Sequence, residues 1–301
     1  MENKGVLLES GTNELEIVEF SVGSNKFGIN VIKVREIINP IPVVSIPHSH
    51  KNIEGIIEIR GEILPVVNIA KVLGYPESSQ PALDKYIVTE FNKQKVVFHV
   101  HGVDKIHRIS WMDIEKPSSL YQSHDSQVIG VIRKENEMIL LLDFEKIVVD
   151  INPSTGINND RLKHIEKRDR STFRIVVAED SSLLRKLLSD TLTEAGFRKI
   201  NFFENGKDAL DYLMHEIKED TDIKKTVDLI ITDIEMPVMD GLFLTKQVKD
   251  HPVLSKLPVV IFSSLITEDL RHKGQNVGAD AQVSKPEIGE LINVIDQLLA
   301  R

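Results

Sequence analysis

The sequence predicts a two-domain molecule, all-β in its N-terminal half and α/β in its C-terminal half, the latter on a doubly wound five-stranded parallel sheet. Three observations predict it. Up to about residue 150 the chain is a series of short Val/Ile-rich stretches separated by turn formers. From Phe173 onward, apolar strand-length runs alternate with helical periodicity. Between the two lies a polar, charged stretch interrupted by Asn152-Pro153-Ser154-Thr155-Gly156.

At 301 residues the chain has room for two domains, each with its own core. In the first, strands are expected at residues 15–21, 26–30, 61–67, 85–91, 96–100, 128–133 and 138–142, with short helices near 31–34 and 69–73. Gly23-Ser24-Asn25, Asn39-Pro40, Asn92-Lys93 and Glu135-Asn136 supply turns. Many short strands at close spacing suggest a barrel or sandwich. Residues 150–172 read as a linker. The charged run 161–170 fits a solvated segment or a short exposed helix. Next come strand 173–178 and helix 182–195, with Leu183, Leu184, Leu187, Leu188, Leu192 and Ala195 on one face and Gly196 to stop it. Strands at 199–203, 227–232, 258–262 and 281–283 then alternate with helices at 206–218, 241–249, 268–276 and 287–299. Fully apolar strands in βα units predict a parallel sheet covered on both faces. The resulting division is 14–149, a linker at 150–172, and 173–301.

Composition narrows the function. Acidic residues (46) outnumber Lys and Arg (37), for a net charge of −9, and the excess of acid holds in both halves. Long-range attraction to a phosphodiester backbone is therefore not expected, which disfavours nucleic acid. The absence of Cys removes disulfides, thiolate metal sites and thiol catalysis. Met1-Glu2-Asn3-Lys4-Gly5 does not open an apolar signal core, and the apolar runs are strand-length. A soluble, cytoplasmic protein without membrane insertion is expected.

Open α/β sheets bind ligands beyond the carboxyl ends of their strands. There the sequence places Glu179 and Asp180 after the first strand, Asp233 after the third, Ser263 and Ser264 after the fourth, and Lys285-Pro286 after the fifth. Three converging carboxylates repel one another, and a hard cation such as Mg²⁺ relieves that repulsion. A metal-loaded carboxylate can attack a phosphoryl group, with a lysine and a hydroxyl to stabilise the developing charge. Each acid by itself is more often a helix N-cap, and Asp180 does precede a helix. The complete set, each member at the end of its own strand, favours the phosphoryl reading.

These residues resemble a response-regulator receiver domain over 173–301. The match runs through Ile175-Val176-Val177-Ala178-Glu179-Asp180, Asp233-Ile234-Glu235-Met236-Pro237-Val238-Met239-Asp240-Gly241, Ser263 and Lys285-Pro286. The resemblance implies phosphorylation on Asp233. It also implies Mg²⁺ held by Glu179, Asp180, Asp233 and the Glu235 backbone carbonyl, and phosphoryl contacts from Ser263 and Lys285. Two residues depart from the family pattern. Glu179 stands where Asp is usual, one methylene longer, which bears on metal geometry. Gln282 occupies the position of the family's aromatic switch, so a rotating ring cannot report phosphorylation.

In the N-terminal half, His48/His50 and His99/His101 have the i, i+2 spacing that shares a strand face. Surface or loop histidines are the expected reading, and Trp111 is expected to pack. Residues 27–37, the stretch Gly55-Ile56-Ile57-Glu58-Ile59-Arg60-Gly61-Glu62-Ile63-Leu64-Pro65-Val66-Val67-Asn68, and residues 130–144 resemble the CheW chemotaxis coupling family. That resemblance implies a pair of small β-barrels linking chemoreceptors to the histidine kinase CheA. Val34, Glu36, Gly55, Arg60 and Gly61 align with the family's binding surface. Core packing for Val34, backbone geometry for the two glycines and an ordinary turn position for Arg60 are the structural alternatives. Coupling domain followed by receiver resembles the order in the CheV family. The resemblance implies a non-enzymatic adaptor recruited to receptor arrays at the inner face of the membrane. A phosphate sink for the kinase, or a coupling protein with a silent receiver, are the competing readings. An enzyme-output regulator would need a catalytic constellation outside the receiver.

Overall fold

Side-chain alternation builds the N-terminal half. β1 (Glu14–Val22) buries residues of both faces: Leu15 and Ile17 join the cluster of Trp111 and Ile132, Phe20 and Val22 are buried on the other face, and Glu14 and Glu16 are only partly buried. The computed structural model describes residues 11–91, 94–116, 127–134, 137–153, 168–219, 222–264, 266, 268–285 and 287–300. The expected turns at Asn92-Lys93 and Glu135-Asn136, and most of the expected linker, lie outside the described residues. Contacts divide the chain into two units: Leu15–Gly156, and Met1–Glu14 together with Ile157–Arg301.

The first unit holds two mixed sheets. One joins β1, β2 (Asn25–Asn30), β8 (Gly102–Ser110), β9 (Ile114–Glu115), β10 (Val128–Arg133) and β11 (Met138–Leu142) in the order β8-β1-β2-β11-β10-β9. The other joins β3 (Val34–Ile38), β4 (Ile53–Ile59), β5 (Glu62–Asn68), β6 (Lys85–Phe91) and β7 (Gln94–Val100) in the order β3-β6-β7-β5-β4. β2 pairs with β11 and β5 with β7 in parallel, while β1–β2, β9–β10, β10–β11, β3–β6, β6–β7 and β4–β5 are antiparallel. Trp111 packs with Leu15, Ile17 and Ile132 in the first sheet, in the structural role expected of it. Phe20 and Phe27 from the first sheet, Phe98 from the second and Phe144 from α2 (Phe144–Ile151) form a continuous aromatic core, with Phe98 and Phe144 centroids 4.7 Å apart.

The expected short helices appear as a 3₁₀ turn at Val31–Lys33 and as α1 (Ile69–Leu73). Strands β3, β4, β8 and β9 and helix α2 are additions to the sequence reading. α2 runs through Asp150 to Ile151, so regular structure continues into the stretch expected as linker.

The second unit is the doubly wound sheet: β12 (Arg170–Ala178), β13 (Phe197–Phe203), β14 (Leu229–Thr232), β15 (Val259–Ser263) and β16 (Ala281–Ser284), all parallel, in the order β13-β12-β14-β15-β16. Helices α3 (Ser182–Glu194), α4 (Gly206–Glu219), α5 (Gly241–Asp250), α6 (Glu268–Asn276) and α7 (Ile288–Leu299) cover its faces. One apolar cluster centres on Val177, Ile231, Phe262 and α3/α7 residues, the other on Val176, Ile230, Val259 and α4/α5 residues. Two expectations are corrected. Leu183 is 52% exposed, because the buried face of α3 is carried by Leu188, Thr191 and Leu192. Arg170, placed in the solvated charged run, is 2% exposed inside β12. Its guanidinium forks onto both Asp296 oxygens at 2.8 and 2.7 Å and donates to the Ala195 carbonyl, which satisfies the buried charge.

Candidate functional site

Parallel strands that end together deliver their next residues to one edge, and two neighbouring strands deliver three acids there. β12 is followed by Glu179 and Asp180, and β14 by Asp233. Carboxylate oxygens of all three lie within 4.8 Å of one another. Register explains the convergence: Ala178 lies beside Thr232, so the residues that follow emerge side by side.

Lys285 follows β16 and is 2% exposed. Its Nζ donates to Glu179 Oε2 at 2.8 Å and to Asp233 Oδ2 at 2.9 Å, both inside the protein. A buried ammonium between two buried carboxylates offsets desolvation that neither sign would tolerate unpaired. Asp233 Oδ1 also accepts from the Ile234 amide at 2.6 Å, and Glu179 Oε1 from the Ser181 amide at 3.2 Å. Burial pushes the Glu179 carboxyl up to about 7; Lys285 opposes this and Asp233 adds to it. The extra methylene of Glu179 thus spans to Lys285 while its other oxygen turns back to its own backbone.

Asp180 does not cap α3. That task falls to Ser181, whose Oγ accepts from the Leu184 amide. Asp180 is left partly exposed beside Glu179 and Asp233. Arg185, which sequence reasoning did not single out, donates to the Glu179 carbonyl at 2.7 Å and the Asp180 carbonyl at 2.8 Å. It fixes the backbone that carries the first two acids; nothing in its sequence spacing announces this. Ser263 is fully buried at the end of β15, and its carbonyl accepts from the Lys285 amide at 2.9 Å. Glu235 is partly buried in the loop after Asp233. Pro286 lies outside the described residues.

The loop after Asp233 is tightly closed. Gly241 donates to the Ile234 carbonyl at 2.9 Å, and a Cβ on Gly241 would overlap the Asp233 carbonyl oxygen. Asp240 caps α5 by accepting from the Phe243 amide at 2.7 Å. Gln282 donates to the Arg271 carbonyl at 2.8 Å, and a Cβ on Gly274 would come within 2.5 Å of its amide. The amide is therefore seated against the α6 backbone where a rotating ring was ruled out.

In the first unit Arg60 and Gly61 form the two-residue turn between β4 and β5, with φ of 51° and 84°. Two positive φ values are those of a type I′ hairpin. Arg60 Nη2 reaches Glu36 Oε2 at 2.8 Å. β3 and β4 are opposite edges of their sheet, so this ion pair bridges the two edges. The structure therefore gathers Glu36, Arg60 and Gly61. Val34 opens β3 opposite Thr89. Gly55 is buried at a bulge where a Cβ would overlap the Val44 carbonyl. The expectation of surface histidines holds for exposed His48 and His50 and fails for His99. His99 lies on β7 between two carboxylates, with Nδ1 2.9 Å from Glu54 and Nε2 3.0 Å from Asp84.

Comparison with known proteins adds the family. A CheW-like domain model matches residues 16–152, and a response regulator receiver domain model matches residues 175–296. The chain is 33% identical to chemotaxis protein CheV3 of Helicobacter pylori, over 95% of each chain. It is 28% identical to CheV1 of the same organism, over 95% of this chain and 94% of that one. The crystal structure of scaffolding protein TtCheW from Thermoanaerobacter tengcongensis is 27% identical, covering 43% of this chain and 89% of its own, with a TM-score of 0.41. The chain belongs to the CheV family of chemotaxis proteins, a CheW-like domain followed by a response regulator receiver domain.

Proposed function

We propose that the protein is a signal-transduction adaptor at receptor arrays. Its CheW-like domain couples chemoreceptors to the histidine kinase CheA, and Mg²⁺-dependent phosphorylation of Asp233 modulates that coupling. The observation that carries the reading is Lys285 held between Glu179 and Asp233, with Asp180 alongside. The donor set fits Mg²⁺: oxygen ligands only, close enough to share one ion. Glu179, Asp180 and Asp233 would hold it with the Glu235 carbonyl. Bound Mg²⁺ would neutralise charge on the transferring phosphoryl oxygens.

The chain's own residues do the rest. An Asp233 carboxylate oxygen attacks the phosphorus of a kinase phosphohistidine. A P–O bond forms, the P–N bond breaks, and the imidazole leaves with the electron pair and takes up a proton. Lys285, already 2.9 Å from Asp233, turns to a phosphoryl oxygen, and the Ser263 hydroxyl binds another. The test is phosphotransfer from radiolabelled CheA. The wild-type chain should take the label only with Mg²⁺, and Asp233→Asn, of the same shape but without the nucleophile, should not. Equal labelling of the two removes Asp233 from the reading.

A further inference from the structure

The residues just before β1 lie against the loop that follows Asp233. Asn13 Nδ2 donates to the Val238 carbonyl at 2.9 Å, and Asn13 Oδ1 accepts from the Asp240 amide at 3.0 Å. One carboxamide thus meets the donor and the acceptor of two residues spaced i, i+2, as a neighbouring strand would. Asn13 is 6% exposed. Gly11, also buried, lies against Lys246 of α5 and Val277 just past α6, where a Cβ would come within 2.9 and 3.3 Å of them.

Two features mark the contact as built. Asn13 has φ of 59°, a conformation that Asn tolerates better than other residues with a side chain. Val238 has φ of 70°, which for a β-branched residue is a strained state that its surroundings must hold. The Asn13 amide holds the carbonyl of that same residue. At its other end the loop begins with Ile234, whose amide binds Asp233 Oδ1. A phosphoryl group on that carboxylate disturbs the first peptide of the loop, while Asn13 grips the last.

We propose that residues 11–13 are an intramolecular ligand of the loop after Asp233, a clasp whose grip on Val238 and Asp240 changes on phosphorylation and carries the change into the start of β1. The coupling rests on Asp233 being the phosphoacceptor; the clasp itself does not.

Hydrogen exchange on the full chain with Mg²⁺, with and without beryllofluoride, tests both. Asn13→Gly keeps the positive φ at no steric cost and removes only the amide. It should speed exchange across residues 238–243 about tenfold in the unmodified protein, the loss expected for roughly one to two net hydrogen bonds. Beryllofluoride should change exchange at residues 11–16 in the wild type and not in Asn13→Gly. Unaltered exchange at 238–243 in Asn13→Gly overturns the clasp. Protection of the Asp233 pocket by beryllofluoride with no change at 11–16 overturns the coupling. No protection of that pocket in the wild type strikes the phosphoacceptor reading and removes the coupling with it, while the comparison of variants still reads the clasp.

Discussion

A proton and the metal ion would compete for the Glu179 carboxylate. Its value near 7, raised by burial, lies above its ordinary 4.5. A raised acid stabilises the metal-free fold below its ordinary value, and that contribution is lost as pH rises through about 7. Mg²⁺ binding requires the carboxylate, so apparent Mg²⁺ affinity should rise with pH up to and through about 7 and flatten above it. Calorimetric titrations at pH 6 and pH 8 check this. Glu179→Gln should weaken Mg²⁺ on the order of tenfold or more and flatten the profile. His99 obeys the opposite charge logic. Burial lowers its pKa, but hydrogen bonds and charge from Glu54 and Asp84 outweigh burial and raise it, while Glu54 is lowered in turn. His101, Asn68 and Tyr86 complete its surroundings. The stabilisation from His99 is full below its ordinary 6.5 and fades as pH climbs through its raised value; that from Glu54 fades as pH falls below its ordinary range. His99→Gln should therefore lower the melting temperature more at pH 6 than at pH 8.5. Asp233, Glu179 and Lys285 could be read from sequence because each falls one or two residues past an apolar strand. The carboxylates around His99 could not, because β4, β7 and the residue before β6 meet only through tertiary packing.

A single methyl group tests the closure of the loop between β14 and α5. Gly241→Ala sets a Cβ against the Asp233 carbonyl with no flexible side chain to yield. The receiver should lose about 3 kcal/mol, read as a fall in its thermal transition. Gln282→Ala, by contrast, gives up one hydrogen bond to α6 and should leave both phosphorylation and coupling in place, whereas Ser263→Ala should weaken the response to phosphorylation. Retained label with lost coupling in Gln282→Ala would show that the amide does transmit the signal. Most elements were legible: β6, β10, β11, α1 and α6 fall at the residues their patterns indicate. Those missed have physical reasons. β4 is interrupted by Gly55 and its bulge, and β8 alternates apolar and charged residues without an apolar run. α2 carried a signal in Phe144, Ile147, Val148 and Ile151, spaced i, i+3, i+4 and i+7 and capped by Asp143, but its apolar content blends with β11 before it.

The all-β and α/β halves were legible from the change of pattern, and the doubly wound parallel sheet from the alternating βα units, whereas the strand order β13-β12-β14-β15-β16 is set by tertiary packing. The ends of the linker were not, because α2 continues past residue 149 and β12 begins at Arg170, whose charge is buried against Asp296. Residues 14–153, which keep α2 and the Phe98–Phe144 contact whole, should fold alone; circular dichroism should show β structure and one cooperative melt. A cut before Phe144 should fail, since Phe144 belongs to the aromatic core. Modulation of coupling by phosphorylation of Asp233 can be read directly. The most direct measurement is CheA kinase activity in arrays reconstituted from chemoreceptor, CheA and this protein as the coupling component. Receptor-dependent kinase activity should change with beryllofluoride and Mg²⁺ for the wild type and stay unchanged for Asp233→Asn. Receptor-dependent activity that is identical with and without beryllofluoride, or no activity above that of CheA alone, would contradict the proposed modulation of coupling.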